Sequence, residues 1–315
     1  YVNNTEGNLW RIIVEDDGCG IPEEISDSVQ KALRFGGRIP LPSKKQTIGR
    51  FGFGLSQTAI CLTKHTKVYS KTSSGVWRSC YMDVEELERD GAYLPPEIKN
   101  DRSWENLFSD LKGYENGTII SLHEIDRPGY DDMDWFVSDL KVVLGRIHRY
   151  SMNDGLRINI SSNGSNLEEL RIRDPMVQLR TSLEVSKLGV EEIRAEYSII
   201  FDGEDFKNTP IIINPETGLP AKIEIKMINA DPGHLQTSLG ITTGKTSIIS
   251  RELGKIGFHN TDQGFSLVRA GREVASAETF GIFTKRPQLN YFHGEISFPT
   301  CLDTWFGIEV NKSEH

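Results

Sequence analysis

Residues 14–22, with the sequence VEDDGCGIP, restrict the fold of this chain more than any other feature. They overlap the apolar run LWRIIVED at residues 9–16, which predicts a β-strand buried on both faces and ending at Asp16. A carboxylate there can accept a hydrogen bond from an exocyclic amine, and Gly18 and Gly20 let a ligand approach the backbone without a Cβ in the way. A strand-to-helix turn that binds no ligand explains the same pattern equally well.

A second glycine-rich segment, IGRFGFGLSQ at residues 48–57, precedes a predicted helix that begins near Leu55. Gly49, Gly52 and Gly54 permit positive φ and leave successive backbone N–H groups free to point at one centre. The partial positive charge of a helix N-terminus adds to these donors, so the segment is suited to phosphate binding. It lacks the GK[ST] of a Walker motif, and no βαβ unit with an acidic residue follows, as the dinucleotide fingerprint requires.

A third feature is the pair Gly117-Thr118, which opens the predicted strand GTIISLHEI. A hydroxyl on a strand beside Asp16 is able to hold a water molecule or an adenine nitrogen. Taken alone, Thr118 is equally an ordinary β-branched strand residue.

The predicted elements alternate between strands and helices in the first half of the chain and are richer in strands in the second half. Helices are predicted over residues 25–35, 54–62 and 131–150 and from Asp83, with Glu86 placed for a capping box, and strands over 67–82 (a hairpin), 156–161, 222–228, 264–274 and 305–310. The turn-rich sequence SSNGSN divides the chain, so we predict an α/β protein with domains at residues 1–165 and 166–315. Residues 230–263 are left unassigned.

Composition limits the partners. The net charge of −9 counts against a broad surface for nucleic acid and leaves only a local contact. No apolar run approaches the length of a membrane span, so we expect no membrane association. The four cysteines form no CxxC pair, and neither they nor the seven histidines have metal-ligand spacing. We therefore expect reduced thiols, a cytoplasmic protein and no metal site built from His and Cys alone.

In this order and at this separation, the three motifs resemble the GHKL ATPases. This superfamily contains type II topoisomerases, ninety-kilodalton heat-shock chaperones, histidine kinases, mismatch-repair ATPases and microrchidia (MORC) ATPases. The run from RFGG through TIGRFGFGL to KVYSK is most similar to the chaperone and MORC branches. The resemblance covers about residues 8–160 and implies an α/β sandwich that binds ATP and Mg²⁺. A smaller, transducer-like α/β domain is expected to follow it.

The resemblance also implies roles for individual residues. Asp16 is expected to bind the adenine amino group, with Gly18 and Gly20 beside it, and Thr118 to support the base through its hydroxyl and a water. An ATP lid, about residues 36–54, is expected to wrap the triphosphate. The residues implied in this segment are Gly49, Arg50, Phe51, Gly52, Phe53, Gly54 and Leu55.

A lysine from the second domain reaches the γ-phosphate in several of these families. The C-terminal sequence FGIEVNKSEH is similar to the strand-then-loop segment that carries it in the mismatch-repair enzymes, which assigns that role to Lys312. An ammonium there would neutralise charge that develops on the transferring phosphoryl group. A solvated lysine near the chain end is the alternative.

One part of the family pattern is missing. The GHKL general base is a Glu, and its Mg²⁺ ligand is an Asn, on a helix upstream of the DxGxG strand. Only 15 residues precede Asp16, and they contain no such helix. We therefore expect either that the sequence is a piece of a longer protein or that the protein does not hydrolyse ATP.

Two further groups of residues are given no nucleotide role. Gly240 and Gly244-Lys245-Thr246 have the spacing GxxxGKT, one residue short of a P-loop and without a preceding buried strand, so a loop is predicted. Arg269 and Arg272 are predicted to be structural or interface residues on or just after a strand.

Three functions remain open at this point. The first is an ATP-driven clamp or remodeller of MORC type that acts on nucleic acid or a large complex. The second is a chaperone-like machine with protein clients, and the third is a non-hydrolysing nucleotide sensor. All three bind ATP or ADP, and the first is expected to form a homodimer when ATP binds.

Overall fold

The chain forms two compact units. The computed structural model describes residues 1–4, 10–23, 25–37, 49, 52–91, 94–106, 115–125, 129–179, 181–184, 196–201, 212–238, 240 and 251–308. The N-terminal unit comprises Tyr1–Val137 with Ile160–Glu168, and the C-terminal unit comprises Ser138–Asn159 with Glu169–His315. The division into domains at residues 165 and 166 stays a prediction.

A six-stranded antiparallel sheet with strand order β1-β2-β6-β3-β4-β5 forms the centre of the N-terminal unit. The strands are β1 Val2–Asn4, β2 Trp10–Asp16, β3 His65–Lys71, β4 Arg78–Asp83, β5 Ile98–Lys99 and β6 Gly117–Ile125. The helices are α1 Ser28–Leu33, α2 Gly54–Leu62 and α3 Val84–Asp90, with a 3₁₀ turn at Ser103–Asn106. Helix α1 contacts β3 and β4, and α2 contacts α1 and β6.

Local sequence signals account for several of these elements. Helix α2 has the predicted bounds, and β3 and β4 form the predicted hairpin. Asp83 caps α3 by accepting the Glu86 N–H at 3.0 Å, whereas the Glu86 carboxylate accepts the Tyr81 hydroxyl proton at 3.0 Å. Burial of β2 on both faces is wrong, because Trp10 and Ile13 are buried but Val14 is 54% exposed.

One face of this sheet carries an aromatic cluster. Trp77 and Trp104 have ring centroids 4.8 Å apart and pack with Ile13, Tyr69 and Ile119. Residues at alternate positions of the same strands point to the opposite face. The N-terminal sheet thus has one face closed by apolar packing and a second face that carries different side chains.

The C-terminal unit is built on a five-stranded mixed sheet with order β12-β11-β13-β10-β9, in which β11 and β13 are parallel and the other pairs antiparallel. The strands after β6 are β7 Asn159–Ile160, β8 Glu168–Glu169, β9 Glu196–Phe201, β10 Ile223–Asn229, β11 Gly264–Arg269, β12 Arg272–Glu278 and β13 Phe292–Phe298. The helices are α4 Met133–Ile147, which begins in the N-terminal unit, α5 Arg149–Asn153 and α6 Pro232–Ser238. Two 3₁₀ turns lie at Pro287–Leu289 and Thr300–Leu302.

Other predicted elements in this half need correction. The long helix is interrupted at His148, and the strand predicted over residues 156–161 is reduced to Asn159–Ile160. Residues 305–308 form a turn rather than the predicted strand, because the Ile308 N–H bonds the Asp303 carbonyl and Gly307 adopts φ +60°.

Buried charges join the C-terminal helices to their sheet. Arg149 is fully buried and donates from Nη1 to Glu273 at 2.7 Å and from Nη2 to Glu295 at 2.6 Å. The Tyr150 hydroxyl donates to the other oxygen of Glu295 at 2.5 Å. Arg269 is also buried and forms two bonds with Asp303, at 2.6 and 2.7 Å, which confirms a structural role for this arginine.

Within the described residues, no helix is long and apolar enough to cross a membrane. Cys19, Cys61, Cys80 and Cys301 are all free thiols, as predicted.

Candidate functional site

Four polar residues form a row across one end of the N-terminal sheet. Asp16 at the end of β2 pairs with Thr118 in β6, Thr118 pairs with Ser70 in β3, and Ser70 pairs with Arg78 in β4. Directly opposed residues of antiparallel strands project from the same face, so the four side chains share one face. The register therefore brings together Asp16 and Thr118, which the sequence singled out, and adds Ser70 and Arg78, which it did not.

Asp16 is the exposed end of this row. Its Oδ1 accepts the Gly18 N–H at 2.9 Å, an Asx-type turn that fixes the carboxylate. Partial desolvation raises the pKa of Asp16, the Gly18 bond opposes that shift, and the neighbouring charge of Asp17 reinforces it. The second carboxylate oxygen is left as an acceptor at the sheet end.

Glycines are required where the turn after β2 meets its neighbours. Gly20 has φ +73°, and a Cβ there would overlap the Lys71 carbonyl oxygen. Gly117 has φ +145°, and a Cβ there would overlap the carbonyl oxygen of Asp16. Asn116 holds the same turn by donating from Nδ2 to the Gly18 carbonyl at 2.6 Å. These contacts keep the backbone of the turn closely packed against the ends of β3 and β6.

Ser70 connects the turn to the row. Its Oγ accepts the Ile21 N–H at 2.8 Å, donates to the Gly117 carbonyl at 3.1 Å and lies 3.3 Å from Thr118 Oγ1. Ser70 is fully buried, whereas Thr118 is half-buried. A single serine in a strand gives no signal in the sequence, so only the strand register could have identified it.

Arg78 anchors helix α1 at the buried end of the row. Its guanidinium donates to the Ile21 carbonyl at 2.6 Å, to Ser28 Oγ at 3.0 Å and to Glu97 at 3.2 Å. Glu97 in turn accepts the Val29 N–H at 2.6 Å in the first turn of α1. Arg78 thus fixes both the turn after Asp16 and the helix that follows it.

The two ends of the predicted lid lie against each other. The Gly36 N–H donates to the Gly52 carbonyl at 3.1 Å, and the rings of Phe35 and Phe53 are 5.9 Å apart. Gly52 has φ +71°, and a Cβ there would overlap the Gly37 carbonyl. Arg50 and Phe51 lie outside the described residues.

Helix α2 begins directly after this contact. Its N-cap residue is Phe53, which supplies no side-chain acceptor, so no side-chain cap covers the N–H groups of Gly54 and Leu55. The Ser56 hydroxyl donates to the Phe53 carbonyl at 3.3 Å and does not cap the turn. Gly49 is exposed. Uncapped amides together with the helix dipole form an anion site of the kind that the sequence predicted.

The remaining predicted residues cannot be placed in this site. Lys312 and the segment Gly244-Lys245-Thr246 lie outside the described residues, and Gly240 is exposed in a turn. In the described parts of the chain, no group of three or more His, Cys, Asp or Glu side chains is arranged to hold a metal ion. The described donors and acceptors suit an amine and an anion, which are the two ends of a nucleotide.

Comparisons with known proteins agree with the motifs. Residues 1–118 match the family model described as "Histidine kinase-, DNA gyrase B-, and HSP90-like ATPase". This match confirms the resemblance to the GHKL ATPases and does not select the chaperone or MORC branch. The similar solved structures include the 43K ATPase domain of gyrase B from Thermus thermophilus in complex with an aminocoumarin. It is 11% identical, with 95% of this chain and 69% of that chain covered and a TM-score of 0.39. A search of curated proteins gave no match.

Proposed function

We propose that the N-terminal unit, whose residues 1–118 belong to the GHKL-type ATPases, binds ATP at the row of side chains that begins with Asp16. The observation that carries this proposal is the direct cross-strand pairing of Asp16 and Thr118 at one end of the sheet. The adenine amino group donates to the free oxygen of Asp16, and the Thr118 hydroxyl lies beside it. Glycines in the adjoining turn let the base approach the backbone.

The phosphates extend to the first turn of α2. The N–H groups of Gly54 and Leu55 have no side-chain cap, and the helix dipole favours negative charge there. Bound Mg²⁺ supplies neutralisation of the phosphate charge, and no described residue is assigned as its ligand. The lid, residues 36–54, closes over the triphosphate from the paired ends at Gly36 and Gly52.

Hydrolysis and its mechanical use form the second part of the proposal. The lid closes when ATP binds, two copies of the chain associate, and the closed dimer clamps or remodels a macromolecular partner. GHKL membership supports ATP hydrolysis. Association that depends on ATP, measured by light scattering with a non-hydrolysable analogue, tests the dimer. A steep dependence of partner binding on salt would indicate DNA, because phosphate contacts release counterions.

The binding claim is tested with Asp16→Asn. The Gly18 N–H continues to hold Oδ1, so the new amide N–H₂ faces the adenine amino group, and two donors meet. Loss of a hydrogen bond to a charged acceptor is expected to weaken ATP binding by about 10- to 100-fold. Isothermal titration calorimetry measures the affinity.

Asp90→Asn is the matched control, because Asp90 ends α3 in an exposed pair with Arg89. It should leave the affinity for ATP unchanged. Wild-type affinity in Asp16→Asn would show that the base lies elsewhere.

Lys312 is tested separately. If it neutralises the γ-phosphate in the transition state, Lys312→Ala should slow hydrolysis and leave ADP affinity nearly unchanged. Single-turnover hydrolysis and ADP titration give the two quantities. An equal loss of both would contradict a role confined to the transition state.

A further inference from the structure

We propose that Ser70 is a positioning residue that fixes Thr118 as a hydrogen-bond acceptor, so that the site selects purine nucleotides with a 6-amino group over 6-oxo purines. This inference rests on the proposed function, because it concerns the base that binds beside Asp16. It assigns a role to a buried residue that contacts Thr118 and does not itself face the base.

The hydrogen bonds of Ser70 determine where each proton lies. A serine hydroxyl has one proton and two lone pairs. One lone pair accepts the Ile21 N–H at 2.8 Å, and the proton goes to the Gly117 carbonyl at 3.1 Å. The second lone pair remains for the Thr118 hydroxyl, whose oxygen is 3.3 Å away.

Thr118 therefore donates its own proton to Ser70. Its lone pairs are then the groups left for a ligand, and Thr118 acts as an acceptor. The reverse arrangement, with Ser70 donating to Thr118, would deprive the Gly117 carbonyl of the shorter of the two bonds.

Two acceptors then face the base edge. The Asp16 carboxylate is an acceptor whenever it is ionised, and cross-strand partners have Cβ atoms about 4.5–5.5 Å apart. A 6-amino group carries two N–H donors and satisfies such a pair. A 6-oxo group presents lone pairs to the same two acceptors, and an unpaired polar contact in a binding site costs more than a missing favourable one.

A merely structural role for Ser70 makes a different prediction. Truncation of Ser70 also removes the partner of the Ile21 N–H and loosens the turn after Asp16. A loosened turn weakens all nucleotides together, so the ratio of ATP affinity to ITP affinity does not change. That ratio changes only if the Thr118 proton is released to rotate toward the ligand.

The experiment is a double-mutant cycle in the full chain. Dissociation constants for ATP and ITP are measured for the wild type, Ser70→Ala, Thr118→Val and the double variant. Ser70→Ala should lower the preference for ATP over ITP by about 3- to 10-fold, the effect of one net hydrogen bond. In the Thr118→Val background, Ser70→Ala should leave the ratio unchanged, because the hydroxyl that Ser70 orients is absent.

Ser121→Ala is the matched control. Ser121 is equally buried and lies in β6, but it pairs with Lys67 and Ile13 and its hydroxyl bonds His123, away from the row. Its ratio should equal that of the wild type. If Ser70→Ala lacks a cooperative melting transition, Ser70→Cys replaces it, and the weaker thiol should give a smaller change in the same direction.

The outcomes separate the two proposals. A wild type that binds neither nucleotide overturns the proposed function and this inference with it. Binding of ATP with the same ratio in wild type and Ser70→Ala overturns this inference alone. An equal change of ratio in the presence and absence of the Thr118 hydroxyl also overturns it, because Ser70 would then act by another route.

Discussion

The two units use buried charge differently at their sheets. In the C-terminal unit, Arg149 is enclosed by carboxylates from β12 and β13, and no part of it is exposed. In the N-terminal unit, Arg78 is similarly buried, but its row continues across the sheet to the exposed Asp16. In the described residues, the Asp16 carboxylate has the Gly18 N–H as its donor and no cation.

This difference distinguishes structural charge from binding charge. Desolvation of Arg149 is compensated by short bonds to Glu273 and Glu295, so the cluster has no capacity left for a ligand. Asp16 is fixed by its own turn and still has an acceptor oxygen to offer. An incompletely satisfied carboxylate at a sheet end is a better indicator of a ligand site than the density of charge around it.

The largest expected effect tests the structural cluster. Arg149→Ala leaves Glu273 and Glu295 buried without their cation, which should destabilise the protein by about 3–5 kcal/mol. Urea unfolding gives the free energy. Arg89→Ala, which removes an exposed pair with Asp90, should cost at most about 1 kcal/mol. Equal costs for the two variants would remove the distinction drawn between buried and exposed charge.

The next effect concerns the backbone beneath Asp16. Gly117→Ala places a methyl group against the Asp16 carbonyl at φ +145°, so we expect a loss of about 1–3 kcal/mol in stability together with weaker ATP binding. Gly254→Ala is the control, because its Cβ would meet only His259 at ordinary distance within a helical turn. Gly254→Ala should leave ATP binding unchanged. Normal ATP affinity in Gly117→Ala would show that the backbone of the turn need not be held so closely.

A pH effect should arise in the C-terminal unit. His293 is buried, and desolvation lowers its pKa to about 4, although N–H bonds with Asp262 and Gly257 oppose the shift. An unfolded histidine has a pKa of about 6.5, so the unfolded state binds more protons between pH 6.5 and pH 4. Stability is therefore complete above about pH 6.5 and falls as the pH decreases through this window.

The expected loss between pH 7.5 and pH 5 is about 2 kcal/mol, measured by urea unfolding at each pH. His293→Gln should flatten this acid limb. His123 in the N-terminal unit also has its pKa lowered to about 4, chiefly by desolvation and then by Arg11. Because His123 is less buried, His123→Gln should flatten the limb less. The opposite ranking would contradict the assignment of the acid sensitivity to the C-terminal unit.

The smallest effect is confined to α3. Asp83→Ala removes the acceptor of the Glu86 N–H and should cost about 0.5–2 kcal/mol, whereas Asp83→Ser retains a cap. Thermal unfolding of the two variants measures the difference. Helix α3 lies away from the row, so neither substitution should change ATP affinity. A change in ATP affinity would extend the binding site beyond the row.

Short-range signals in the sequence were sufficient for parts of the fold. The glycine cluster before residue 55 located the start of α2, and alternating β-rich runs around Ser73-Ser74-Gly75 located the β3–β4 hairpin. They failed near the C-terminus, where WFGIEV predicts a strand and residues 305–308 form a turn. The stacking of Phe306 on Phe298, with centroids 3.7 Å apart, is a tertiary contact that such a pattern does not contain.

By itself, the sequence determined which chemical groups the N-terminal unit offers and the family to which residues 1–118 belong. Glycine spacing and a carboxylate at the end of a strand are local properties, fixed by backbone sterics and chain order. Only the tertiary structure decided that Asp16, Thr118, Ser70 and Arg78 share one face. Strand register is set by packing over the whole sheet, and a shift of one residue would turn Thr118 to the opposite face.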